Sequence, residues 1–139
     1  MSAIGDRRAG ATLIEAMVVI AILVMIGSIG FPELRSSLRR AIFHQAAAGL
    51  RADMRMARAQ ALSSGSRVDL TVTEDGMGYG WTPGPRRALV GGVQLRPAGP
   101  AASFFPDGSS TGGRLALSAD GRRFEVGIDP VTGLPEPLR

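Results

Sequence analysis

The sequence has no cysteine, no lysine and a single histidine, His44. Without cysteine there can be no disulfide staple, no thiol nucleophile and no cysteine-bound metal. One imidazole leaves little from which to build a histidine metal site or a catalytic triad. Aromatic residues make up only 5% of the chain, which thins any platform for stacking nucleic-acid bases. At 139 residues there is room for one modest domain beyond a membrane segment.

All the positive charge is therefore arginine, and its placement matters more than the net +4. Between Pro32 and Ser66, six arginines stand against Glu33 and Asp53. From Arg67 to the end, eight arginines balance eight acids, so the distal half is neutral. A nucleic-acid reading needs arginines clustered on that distal half; Arg86, Arg87, Arg122 and Arg123 are the candidates.

The segment "RRAGATLIEAMVVIAILVMIGSIGFPEL" (7–34) dominates the chain. From Ala16 to Gly27 every residue is apolar or glycine, and Ser28 is the only polar residue before Pro32. Leu13 to Phe31 reaches about 28 Å as a helix, just enough to span a hydrocarbon core. Arg7 and Arg8, immediately before it, favour a cytoplasmic N-terminus. Glu15 is the anomaly: a carboxylate one turn inside such a helix costs several kcal/mol, roughly, unless a positive charge meets it.

Helical periodicity continues beyond Phe31. Leu34, Leu38 and Ile42, then Leu50, Met54, Ala57 and Ala61, predict one helix from about Thr12 to Leu62, amphipathic in its second half and kinked near Pro32. "SSGS" (63–66) ends it. The period then becomes two: residues 67–73 predict a strand, and Met77, Tyr79 and Trp81 alternate with glycines in the next. Weaker strands are expected at 88–96 and 102–105. Residues 114–118 and 123–129 form a hairpin about "ADGR", with Leu115, Leu117, Phe124, Val126 and Ile128 inward. The expected fold is α+β, a long N-terminal helix against a small antiparallel β domain.

These residues carry a resemblance. Gly10 followed by "ATLIEAMVVIAIL", with Glu15 fifth after the glycine and Pro32 in register, resembles the prepilin signature of type IV pilins and type II secretion pseudopilins. Alanine at position 11 departs from the family's usual phenylalanine. "SFFPDGSSTGGRLALSADGRRFEVGIDPVTG" (103–133) is similar to the end of the GspH/FimT family, with its aromatic-Pro-x-Gly turn, Gly-rich loop and terminal Thr-Gly. The resemblance implies a type IV pilin-like fold in four parts: leader 1–10, transmembrane half 11–31, amphipathic half 32–63 and periplasmic β domain 64–139. It further implies cleavage by prepilin peptidase between Gly10 and Ala11, N-methylation of Ala11, and an assembly role for Glu15. Glu15 would meet the new amine of a neighbouring subunit. Implied partners are the major and minor pseudopilins of one filament and the inner membrane, with secreted cargo beside them; no cofactor or metal is implied.

Other readings compete. Arg7 and Arg8 with Ser28-Ile29-Gly30 could form an ordinary secretory signal, although Glu15 would interrupt its apolar region. A plain membrane anchor explains the length but not the carboxylate. For function, a structural minor subunit near the tip of a secretion pseudopilus contends with a minor pilin that binds DNA during uptake or primes pilus assembly. Asp107, Asp120 and Asp129 sit in Pro- or Gly-containing turns and read as backbone caps rather than calcium ligands. His44, beside Phe43, reads as a packing or surface residue. Nothing in the chain assembles a nucleophile with a base, so no enzyme is expected.

Overall fold

The computed structural model describes residues 13–138. Helix α1 runs Leu13–Ser64 and is followed by eight strands: β1 Val68–Val72, β2 Gly78–Thr82, β3 Arg86–Ala88, β4 Gln94–Pro97, β5 Ser103–Phe104, β6 Arg114–Ala119, β7 Arg122–Ile128 and β8 Pro135–Leu138. Contacts divide the chain into two units, Met1–Leu38 and Arg39–Arg139.

The described part of the first unit is helical, and large apolar side chains along it are exposed, Leu13 at 80% and Met25 at 69%. Two of its hydroxyls are satisfied locally: Ser28 Oγ donates to Met25 O at 2.8 Å and Ser36 Oγ to Glu33 O at 2.9 Å. The Arg35 guanidinium stacks on Phe31, 4.4 Å from the ring centre.

The second unit holds two antiparallel sheets, ordered β3-β2-β1-β5 and β4-β6-β7-β8. One apolar core joins them to the helix: Phe43, Ala47, Leu50, Met54, Ala57 and Ala61 of α1 meet Leu70, Trp81, Leu95, Phe104, Leu117 and Val126. The helical spacing alternates four and three, which holds the stripe on one face. Leu34, Leu38 and Ile42 follow a pure four-residue step, which turns about 40° around the helix each time. Leu34 and Leu38 are accordingly exposed, and the packing stripe begins at Phe43 rather than at Leu34.

The hairpin predicted at 114–129 is present as β6–β7, paired from Arg114↔Gly127 to Ala119↔Arg122. Asp120 and Gly121 both take positive φ at its turn, as a two-residue hairpin loop demands. Leu115, Leu117, Val126 and Ile128 are buried and Phe124 is half-buried. The strand expected at 88–96 is instead two. Gly91 and Gly92, at φ 69 and 75, turn the chain, so that β3 joins one sheet and β4 the other. The sequence reading at 102–105 shortens to β5. β8 was not anticipated, because "PEPL" holds two prolines; it lies at a sheet edge, where missing backbone donors are tolerated.

Residues from about Pro32 onward are expected to fold without the apolar half. In such a fragment, urea denaturation should show Leu50→Ala losing about 2–5 kcal/mol and Leu34→Ala changing stability by no more than about 0.5 kcal/mol. Equal effects would contradict a core that starts at Phe43.

Candidate assembly site

The second half of α1 does more than supply apolar packing. Asp53 lies between Leu50 and Met54 on the stripe and is buried. Tyr79, inward on β2, donates its hydroxyl to Asp53 Oδ2 at 2.8 Å. Arg87 on β3, directly paired with Tyr79, reaches the same oxygen at 3.2 Å through Nε. One charged pair and one phenol therefore hold the β2–β3 edge to the helix. About two turns further on, Gln60 Oε1 accepts from Trp81 Nε1 at 2.9 Å. The two aromatics are thus core residues with satisfied polar ends.

Arg58 fixes the opposite side. Its Nε donates to Gly108 O at 3.1 Å and Thr132 O at 2.7 Å. These carbonyls belong to the Pro-x-Gly turn and the Thr-Gly end that carry the family resemblance. Both glycines take the left-handed backbone that other residues rarely adopt, Gly108 at φ 87 and Gly133 at φ 64, and a Cβ on Gly133 would also lie 2.5 Å from Gly108 O. The motif is a cradle for a helix arginine.

Turn acids behave as caps. Asp107 Oδ1 accepts from the Ser109 hydroxyl and backbone N–H, and Asp129 Oδ1 from Val131 N, Thr132 N and Thr132 Oγ1. These bonds hold both carboxyls below the usual range. Asp69 is lowered too, chiefly by the Ser103 hydroxyl at 2.6 Å and then by Arg67. Asp120 faces Arg39 at 3.8 Å. Among the described residues, no group of three or more His, Asp or Glu side chains could hold a metal ion.

Gly10 and Ala11 lie outside the described residues. Glu15 stands in the first turn of α1, and Pro32 lies within the same helix. His44 is exposed, edge-on to Phe43 at 6.2 Å. The four candidate arginines do not form one free patch: Arg87 serves Asp53, and Arg123 pairs with Glu125 at 2.7 Å on the other sheet. Asp53, Arg58 and Gln60 escaped the sequence reading. The one available signal was an acid placed inside the apolar stripe.

An exposed apolar helix entering a domain whose two small sheets pack on that helix defines a type IV pilin-like protein. Among the described residues one helix, α1, is long and apolar enough to cross a membrane. The fold is similar to the type IV minor pilin FimU of Pseudomonas aeruginosa, with TM-score 0.59 and 16% identity over 72% of this chain and 90% of that one. It is similar also to the minor pseudopilin EpsH of the Vibrio cholerae type 2 secretion system, with TM-score 0.55 and 16% identity over 68% and 94% of the two chains. In sequence the chain is 28% identical over 134 residues to type II secretion system protein H of Xanthomonas campestris pv. campestris, covering 89% of this chain and 79% of that protein. Residues 46–132 match the family of type II transport protein GspH. The chain belongs to the GspH family, the minor pseudopilins of type II secretion, which are structural proteins rather than enzymes.

Two measurements test this site. Tyr79 is the single tyrosine, and burial, then its bond to Asp53, push its phenol above the ordinary value. The stability it contributes is complete below about pH 10, the unfolded value, and is lost as pH rises through the folded one. Phenolate absorbance should therefore stay flat past about pH 10 and rise only with unfolding; ionisation of the folded protein near pH 10 would contradict the burial. Gly133→Ala, at φ 64, should cost more than about 1 kcal/mol in denaturant titration, whereas Gly65→Ala, at the same φ but with no neighbour within 4 Å, should cost less. Equal losses would remove the cradle.

Proposed function

We propose that this protein is a minor pseudopilin near the tip of the type II secretion pseudopilus, supporting export of folded proteins across the outer membrane. Residues 1–10 are a leader that prepilin peptidase removes between Gly10 and Ala11, and the Ala11 amine is then methylated. Residues 11–31 cross the inner membrane once from a cytoplasmic N-terminus, the helix kinks near Pro32, and residues 64–139 stand in the periplasm. The partners are the other major and minor pseudopilins of the filament.

The observation that carries this reading is the union, in one helix, of an apolar exposed half and a GspH-type domain. Glu15 is the one charged residue between Leu13 and Pro32. In hydrocarbon a carboxylate and an α-ammonium are each costly, and at low dielectric they attract strongly. Glu15 of one subunit meeting the Ala11 amine of the next sets the axial register of assembly.

Intact mass of membrane-extracted protein should show loss of residues 1–10 and gain of one methyl. A mature start at Ile29 or Phe31 would instead mean an ordinary signal peptide. Glu15→Ala should leave the membrane level near normal while crosslinking to other pseudopilins and secretion both fall. Undiminished crosslinking and secretion would refute the pairing, and loss of the protein from the membrane would make Glu15 a stability residue.

A further inference from the structure

Arginine stands on the wrong side of the apolar run for easy export. Arg7 and Arg8 precede that run, whereas Arg35, Arg39 and Arg40 follow it within nine residues of Phe31, against the single acid Glu33. Arginine just beyond a membrane helix opposes transfer of that flank. These residues therefore carry a cost at insertion that something on the far side must offset.

Within the second unit, positive charge gathers at the end where the chain enters. Arg39 and Arg40 open that unit on α1, and both are exposed. Two turns lie beside them. Asp120 ties the β6–β7 turn to the helix, 3.8 Å from Arg39 Nε. The turn before β4 abuts the helix too, since a Cβ on Gly91 would lie 2.9 Å from Ile42 Cγ2. Gly92, Gln94, Asp120, Gly121 and Arg122 line an open hollow of about 400 Å³ between the turns. Across residues 39–42, 89–92 and 119–122, three arginines stand against one acid, Asp120. Among the described residues, Arg40 and Arg122 meet no carboxylate. Val90, beside Gly91, is 67% exposed. Unpaired guanidiniums around an exposed apolar tip suit a layer of anionic lipid headgroups.

We propose that this end of the β domain rests on the bilayer, with Arg39, Arg40 and Arg122 on the phosphates of anionic phospholipids and Val90 among the headgroups. The inference rests on the membrane reading above. Eight residues of helix, about 12 Å, separate Phe31 from Arg39. A headgroup layer takes up about half of that distance. Side chains on a helix lean toward its N-terminus, so the arginines reach back along the same path. The contact fixes the height of the domain above the membrane before assembly.

The test uses the full chain in phospholipid discs, either wholly phosphatidylcholine or mixed with phosphatidylglycerol. The protein lacks cysteine, so Val90→Cys, Val131→Cys and Ile22→Cys each carry a single fluorophore. Val131 is 78% exposed and follows the far end of β7, which rises about 20 Å from Arg122. Spin-labelled headgroups should quench the Val90 probe in mixed discs, and far less in phosphatidylcholine or at high salt. The Val131 probe should stay bright. Arg40→Gln and Arg122→Gln should each weaken the contact about fivefold, with the thermal midpoint held. Asp120→Asn suits the same positive-φ turn and should strengthen the contact; it decides the matter if a glutamine variant unfolds. Equal quenching in both discs, or quenching that survives both glutamines, overturns the proposal, as does uptake of duplex DNA by these arginines in preference to the anionic disc. An Ile22 probe quenched by acyl-chain spin labels beside an unquenched Val90 probe sinks the surface alone. An Ile22 probe outside the hydrocarbon sinks the membrane reading with it.

Discussion

A single helix has to satisfy two burial requirements, and the rest of the structure follows from how it does so. From Ala16 to Ile26 α1 is apolar on every side and exposed; from Phe43 onward an apolar stripe on one face is buried. A soluble monomer does not leave an apolar surface of the first kind in water. Lipid or other subunits must cover it. The second half meets its requirement within the chain, by packing two four-stranded sheets against its stripe.

Because the sheets depend on the helix, their polar attachments converge on it. Asp53 takes Tyr79 and Arg87, Gln60 takes Trp81, and Arg58 takes the carbonyls of Gly108 and Thr132. These three residues lie within eight positions of α1 and reach the first sheet and the C-terminal turns. The arrangement gives the glycine-rich signature a mechanical meaning, since its glycines make room for a guanidinium rather than for a ligand.

Much of this was legible in the sequence, and the failures have physical causes. The β6–β7 hairpin could be read because strict alternation flanked an Asp-Gly turn. The β3–β4 boundary could not, since Val90 and Val93 keep the run apolar across Gly91 and Gly92, and only the turn separates two sheets. β8 was hidden by its prolines, which an edge position permits. Glu15 stands out in the sequence as a carboxylate in the first turn of an apolar helix. Asp53 was read as one more charge, because burial of an acid depends on Tyr79 and Arg87, far away in sequence.

The claim that most needs testing is that this pilin-like subunit works in secretion rather than in DNA uptake. The direct measurement is to delete the gene and assay, in the same cells, the folded enzymes released to the medium and the uptake of labelled DNA. The account predicts that export is lost, that uptake is unchanged, and that the intact chain restores export. Normal export with lost DNA uptake would contradict it.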